Sequence, residues 1–283
     1  MHVIVIGAGA IGSFIAASLA EGGADVTIIA RGQRLEWLER HPVEIESEGG
    51  RRIVPVPVAA WSGLDRPVDV AFLCTKARDL PESLLALRPL LAGGGTVVTL
   101  QNGIEAPREA ARMLPGAIVV ASRVHGFFEM SGQDVRHVGV PPSLSLGCID
   151  KGARAVPAIV SQVLEQAGIR HTISDDIVTT LWEKMLLSAG LGGLAAAQGI
   201  NAGQVCRSAG GEARLRQVME EIAALARASG AKLGAEDIEA TLRFVRSFPE
   251  SATTSLQRDL QAGTPSEYDA LIGAALRVAR ARN

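Results

Sequence analysis

Aromatic residues and cysteine are scarce in this chain of 283 residues, and neither acidic nor basic residues are in large excess. Phe, Trp and Tyr make up 4% of it, and 30 acidic against 28 basic residues leave a net charge of −2. A protein that binds nucleic acid by neutralising phosphates needs a basic excess, and single-strand binding uses aromatic side chains that stack on bases. Because both features are missing, no nucleic-acid partner is expected.

Cysteine pairs and long apolar runs are missing as well. The three cysteines lie far apart without a CxxC pair, so neither a disulfide framework nor a metal site is expected. Glycine or charge interrupts every apolar run before the roughly 18 residues that a transmembrane helix needs. The apolar N-terminus has no basic segment, and its glycines suit a turn rather than a cleavage site. We expect a soluble, cytoplasmic protein with no membrane partner.

The first part of the chain alternates β-rich runs with helical segments. Residues 2–6, HVIVI, are typical of a strand buried on both faces of a parallel sheet, and a helix follows directly. Further strands are predicted at 25–30, 68–75, 95–100 and 117–122, with a closing hairpin at 135–148 that turns at Pro141-Pro142. Alternating strands and helices indicate βαβ units. The pattern predicts an α/β fold with a Rossmann dinucleotide-binding domain over residues 1–170.

The later part of the chain is helical in pattern. Four segments have apolar residues at helical spacing: 174–197, 212–230, 236–248 and 268–281. We therefore predict a second, all-α domain over residues 171–283. Its apolar helices would suit a homodimer.

A glycine-rich motif opens the first predicted helix. It is GxGxxG, placed directly after a strand inside a βαβ unit, and consists of Gly7, Ala8, Gly9, Ala10, Ile11 and Gly12. In this context the motif predicts a dinucleotide site, with the pyrophosphate at the helix N-terminus. The alternative is an ordinary glycine-rich turn without a ligand.

The end of the second strand indicates which cofactor binds. NAD enzymes place an acidic residue there to bind the ribose 2′-hydroxyl, whereas this chain has Arg31. A guanidinium can pair with a 2′-phosphate, so we predict NADP (as NADPH) with Arg34 as a helper. The alternative is that Arg31 is a solvated surface residue. Lys76 and Asn102 follow two later strands, at the sheet edge where ligands bind.

The order of these motifs resembles the ketopantoate reductase family (2-dehydropantoate 2-reductases) over nearly the whole chain. The matching segments are GxGxxG, Arg31, CTK (74–76), QNG (101–103), WEK (182–184) and SLQRDLQAGTPSEYDAL (255–271). The resemblance implies a Rossmann domain followed by a helical domain, with the active site in the cleft between them. It also implies NADPH-dependent reduction of ketopantoate, a 2-oxo acid, to pantoate in pantothenate synthesis.

The resemblance also assigns roles to residues. It makes Lys184 the proton donor and Glu267 an active-site carboxylate beside the cofactor. Asn102 and Ser255 would contact substrate, and Lys76 would lie near both substrate and cofactor; Asn102 also falls among the cofactor contacts. An ammonium suits this reaction because hydride transfer leaves negative charge on the carbonyl oxygen. From the residues alone, Lys184 could instead be a surface residue with a buried stem, and Glu267 a carboxylate that favours a helix start.

The chain departs from the family pattern in three places where the family has asparagine. Ser188, which we include among the substrate-binding candidates, and Gly192 follow Lys184 by one and two helical turns, and Ala252 precedes Ser255. Losing buried amide groups should change what a site discriminates. Three functions follow: reduction of ketopantoate, reduction of another 2-oxo acid or ketone, or NADPH binding without turnover.

Overall fold

The computed structural model describes residues 1–149 and 155–281, which form two compact units. The first unit comprises Met1–Gln101 and Ala106–Ile177, and the second comprises Asn102–Glu105 and the chain from Val178 onward. Within the described ranges, none of the helices combines the length and apolar character needed to cross a membrane.

The first unit is built on one sheet. Its strands are β1 (His2–Ile6), β2 (Asp25–Ile29), β3 (Val43–Ser47), β4 (Gly50–Val54), β5 (Val58–Ala59), β6 (Val68–Leu73), β7 (Leu91–Thr99), β8 (Ile118–Ser131), β9 (Asp134–Gly147) and β10 (Arg170–Ile173). Six neighbouring strands are parallel in the order β5-β2-β1-β6-β7-β8. This is the doubly wound order whose ligands bind beyond the carboxyl end of β1. The predicted α/β fold class is confirmed.

Helices cover both faces of this sheet. They are α1 (Ala10–Glu21), α2 (Gly32–Leu38), α3 (Leu80–Leu87), α4 (Ala106–Met113) and α5 (Ala158–Gln166). Val97 packs in the core that holds α3 and α4, and the next residue, Val98, packs in the core that holds α1 and α5. Both valines are fully buried. Successive side chains of a strand point to opposite faces, so burial on both sides explains the continuous β-branched runs.

The predicted hairpin turn at Pro141-Pro142 is wrong. Both prolines lie inside β9, which pairs antiparallel with β8 along most of its length, and the chain reverses at residues 132–133. The prolines fall between the paired residues Val138 and Ser143, in a bulge of β9 where residues 139–142 lie opposite the single residue Gly126 of β8. A bulge tolerates proline because it needs no ladder hydrogen bond from the proline nitrogen.

The second unit is helical apart from its connections. Its helices are α6 (Ile177–Met185), α7 (Gly192–Gln198), α8 (Gly211–Ala228), α9 (Ala235–Arg246), α10 (Ser255–Gln261) and α11 (Ala274–Arg280). A π-helical turn, Leu186–Leu191, joins α6 to α7, and a second one, Asp269–Gly273, precedes α11. Trp182, Met219 and Leu242 are among the buried residues of its core. The predicted domain boundary at 170/171 moves to Ile177, because β10 still adds a strand to the sheet.

Candidate active site

Glycine is needed at the three positions of the GxGxxG motif for different structural reasons. Gly7 has φ of +102°, and a Cβ there would lie 2.9 Å from the carbonyl carbon of Cys74. A Cβ on Gly12 would lie 1.8 Å from the carbonyl oxygen of Gly7. A Cβ on Gly9 would meet no protein atom within 4 Å. Gly7 and Gly12 are therefore required by the fold itself, whereas Gly9 keeps a space open at the surface.

This open space lies at the N-terminus of α1. Gly9 is the N-cap residue, so no side chain caps the helix, and its first turn has no acidic residue. The N–H groups of a helix N-terminus and its partial positive charge bind anions. The loop therefore fits a dinucleotide pyrophosphate, and Gly9 would let the backbone approach it closely.

Arg31 lies where the sequence predicts it, directly after β2, but it has partners that the sequence did not indicate. Its guanidinium contacts the carboxylate of Asp79 at 2.9 Å and that of Glu82 at 3.3 Å. The hydrogen bond to Asp79 is the main cause that raises the pKa of Arg31. The Arg31 side chain is 68% exposed, so an incoming anion can reach it.

Arg34 is held within the first unit rather than presented to a cofactor. It donates to the Ala8 carbonyl at 3.0 Å, to the Ser13 hydroxyl at 3.1 Å, and to both the carbonyl and the side chain of Gln133. Burial lowers its pKa. Since each of its three nitrogens already donates, we correct the prediction that Arg34 helps to bind the phosphate: it braces the glycine-rich loop.

Polar groups also end β6 and β7. Lys76 is half-buried just beyond β6. The side-chain amide of Gln101 donates to the carbonyls of Leu73 at 3.0 Å and Thr75 at 3.2 Å, which ties the two strand ends together. We did not predict a role for Gln101. Its position as a polar residue directly after an apolar strand was the available signal.

Two predicted site residues meet in the second unit. The Asn102 amide donates to the Glu267 carboxylate at 2.6 Å, across 165 positions of sequence. Glu267 is buried, with 8% of its surface exposed. A buried carboxylate needs such a donor because burial without one is costly.

The short segment that carries Asn102 packs closely against the chain beyond Glu267. Gly103 has φ of +101°, and a Cβ there would lie 2.5 Å from the Ala270 carbonyl oxygen. Glu105 pairs with Arg277, whose guanidinium also pairs with Asp269 at 2.9 Å. Only glycine allows this close approach at position 103, which gives the QNG segment a structural reason.

Lys184 lies in the last turn of α6 and is half-buried between the buried Trp182 and Met185. The π-helical turn begins two residues later, and within it the Ser188 hydroxyl donates to the Lys184 carbonyl at 2.9 Å. The second π-helical turn likewise begins two residues after Glu267. The two turns are in contact, and π-helical turns occur frequently at functional sites.

The remaining substrate candidates lie around α10. Ser255 is exposed at the first position of this helix. A Cβ on Gly192 would lie 3.4 Å from the Thr254 hydroxyl and 3.8 Å from Leu256. Gly192 therefore faces the start of α10, and Thr254 and Leu256 border the space that an asparagine would occupy. Ala252 is half-buried just before this helix.

Metal ligands do not cluster in the part of the chain that the structure describes. In residues 1–149 and 155–281 there is no group of three His, Cys, Asp or Glu side chains able to hold an ion.

Comparison with known protein families covers both units. Residues 3–151 match the family model described as ketopantoate reductase PanE/ApbA, and residues 176–283 match the model of its C-terminal part. The first match alone spans more than half of the chain. The chain belongs to the ketopantoate reductase family. Its predicted family, its fold class and its assignment as an oxidoreductase acting on CH–OH groups are confirmed.

Individual relatives agree in length and fold. A curated relative from Mesorhizobium japonicum, named 2-dehydropantoate 2-reductase, is 28% identical over 303 residues, which cover 99% of this chain and 92% of the relative. The crystal structure of a PanE/ApbA family ketopantoate reductase from Ralstonia eutropha superposes with a TM-score of 0.87 at 32% identity, covering 99% and 92% of the two chains.

Solved neighbours of this chain include structures with a bound cofactor. The ternary structure of D-mandelate dehydrogenase with NADH and anilino(oxo)acetate has a TM-score of 0.90 at 20% identity, covering 100% of this chain and 93% of the neighbour. At this identity the likeness concerns the fold. Nicotinamide dinucleotides are the cofactors of this family.

Proposed function

We propose that this protein reduces a 2-oxo acid to the 2-hydroxy acid with NADPH, and that ketopantoate is the first substrate to test. The buried hydrogen bond between Asn102 and Glu267 carries the proposal, because it joins two residues that the family resemblance assigns to the site. The glycine-rich loop, with open space at Gly9, supports the cofactor part. Arg31 after β2, in place of an acidic residue, supports NADPH over NADH.

The chain's own residues divide the work as follows. A bound reduced nicotinamide supplies the hydride that the 2-keto carbon accepts. Lys184 stabilises the negative charge that develops on the keto oxygen and donates the proton that completes the alcohol. Asn102 holds one oxygen of Glu267, so the carboxylate has a defined direction in which to position the lysine or a substrate group. Ser255 and Lys76 bind polar groups of substrate and cofactor.

A second substrate is favoured by the residues near α10. Gly192 provides no side-chain amide, and Thr254 and Leu256 border the space that a side chain at this position would enter. A pocket with fewer amide groups should prefer a less polar 2-oxo acid or ketone. The hydrogen bonds that a site makes to polar groups of a substrate contribute strongly to its selection among substrates. Steady-state kinetics with ketopantoate and a panel of 2-oxo acids separates the two. If kcat/KM is clearly higher for another 2-oxo acid than for ketopantoate, that acid is the substrate instead of ketopantoate.

The catalytic role of Lys184 has a direct test. Lys184→Met should lower kcat by about 100-fold or more, since a positioned proton donor contributes about 10²–10⁴-fold, while NADPH affinity changes little. Lys232→Met, which alters an exposed lysine of the same unit, is the control. If Lys184→Met turns over normally, another group donates the proton. If no carbonyl substrate consumes NADPH, the chain binds the nucleotide without turnover.

Cellular context follows from this activity. A ketopantoate reductase would act in pantothenate synthesis, in the cytoplasm, and we propose a homodimer as its solution state. Sedimentation measurements test the dimer, and growth of a strain lacking ketopantoate reductase, with and without this chain, tests the pathway.

A further inference from the structure

The pairing of Arg31 bears on how strongly the protein distinguishes NADPH from NADH. Arg31 follows β2, and Asp79 lies at the start of α3, just beyond β6. Both strands flank β1, so the guanidinium and this carboxylate meet at the carboxyl edge of the sheet, near the glycine-rich loop. An enzyme selective for NADPH would gain by leaving its phosphate-binding arginine without an acidic partner.

We propose that Asp79 is a cofactor-specificity residue that competes with the 2′-phosphate of NADPH for Arg31. This inference rests on the proposed function, in which Arg31 binds that phosphate. A 2′-phosphate that binds Arg31 has to share the guanidinium with Asp79 or displace it, and either weakens the contact between Arg31 and Asp79. Binding NADH does not require this contact to weaken. The Asp79 carboxylate therefore lowers the affinity for NADPH, and it reduces the difference between the affinities for NADPH and NADH.

The two acidic neighbours of Arg31 should contribute unequally. Asp79 is 22% exposed and lies 2.9 Å from the guanidinium, whereas Glu82 is 75% exposed and lies 3.3 Å away. Solvent screens an exposed pair, so Asp79 is the stronger competitor. Arg78 is a second cation beside Asp79, at 3.6 Å, and partly offsets the repulsion between Asp79 and a phosphate.

Direct binding measurements test the proposal without relying on turnover. NADPH and NADH are titrated separately into the full chain, and the ratio of the two Kd values is compared among variants. Asp79→Asn should tighten NADPH about 2- to 5-fold with little change for NADH, which is the range expected for a partly exposed ion pair. Glu82→Gln should have a smaller effect. Asp25→Asn is the control, since Asp25 pairs with Arg66 at 2.8 Å at the start of β2, far along the strand from this edge.

A second background separates competition for Arg31 from simple repulsion of the phosphate. In the Arg31→Ala chain, Asp79→Asn should no longer improve NADPH binding, because the contested group is gone. An equal improvement with and without Arg31 would overturn the proposal, and so would an unchanged Kd ratio in Asp79→Asn. If Arg31→Ala itself leaves the NADPH to NADH ratio unchanged, the cofactor part of the proposed function fails as well. If Arg31→Ala raises the ratio of the NADPH Kd to the NADH Kd but Asp79→Asn has no effect, the failure concerns Asp79 alone.

Discussion

The motif glycines Gly9 and Gly12 should respond in opposite ways to the same substitution. A Cβ on Gly12 would lie 1.8 Å from the backbone oxygen of Gly7, so Gly12→Ala cannot be accommodated without moving the loop. Overpacking costs about 1–3 kcal/mol, and a backbone clash belongs at the upper end. For a domain of about 150–250 residues, 1 kcal/mol shifts the unfolding midpoint by about 2–4 °C. We therefore expect Tm to fall by about 6 °C or more.

Gly9→Ala should leave the stability of the fold unchanged and weaken the binding of the nucleotide. The backbone at Gly9 has φ of −73°, which alanine adopts freely, and no protein atom lies within 4 Å of the new Cβ. Alanine is a poorer N-cap than glycine, but it reduces the entropy of the unfolded chain, and the two effects largely cancel. A methyl group between loop and pyrophosphate should cost about 1–3 kcal/mol of binding, or about 5- to 150-fold in Kd.

The assay combines thermal unfolding without cofactor and NADPH titration of the same samples. Gly116→Ala is the control, because a Cβ there also meets no atom within 4 Å. Gly116 lies just before β8, at the amino end of the parallel strands, whereas the glycine-rich loop lies at their carboxyl end. The reasoning is refuted if Gly9→Ala binds NADPH like the parent chain. It is also refuted if Gly9→Ala lowers Tm as much as Gly12→Ala.

Two further predictions concern the second unit. Glu267→Gln keeps an oxygen that accepts from Asn102, so Tm should change little while kcat falls. Asn102→Leu should cost about 1–3 kcal/mol of stability, because it removes the donor to a buried carboxylate, and equal Tm values for the two variants would contradict this. Arg277 lowers the pKa of Asp269, so their pairing stabilises the fold above the unfolded-state pKa near 3.8 and is lost as the pH falls through the lower folded value. Arg277→Met should therefore differ from the parent in unfolding at neutral pH and approach it as the pH falls below 3.8 and through the lower folded value. A constant difference across the range would show that the pairing with Asp269 is not the cause.

Local patterns in the sequence were enough to place most of the first unit. Each of five elements has a pattern of apolar residues that can be recognised within its own short segment of sequence: β1, β2, β6, β7 and α1. The β3–β4 pair was not predicted. It spans residues 43–54, where exposed and charged side chains interrupt the apolar pattern of an edge hairpin.

The candidate site was less predictable than the fold. Resemblance to a family indicated Asn102 and Glu267 individually, but no local pattern showed that they share a hydrogen bond. Arg34 and Arg31 looked alike in sequence, as two arginines three residues apart. Their surroundings separate them, because Arg34 is held by Ala8, Ser13 and Gln133, whereas Arg31 stays exposed beside Asp79.

The sequence by itself determined the alternation of strands and helices and the glycine-rich turn after β1. These features depend on residues within one or two turns of each other, so a short window contains the information. Only the tertiary structure decided which polar side chains meet: Arg31 with Asp79, Glu105 with Arg277, and Asn102 with Glu267. These contacts join residues from 48 to 172 positions apart, and the path of the folded chain, rather than any local preference, brings them together.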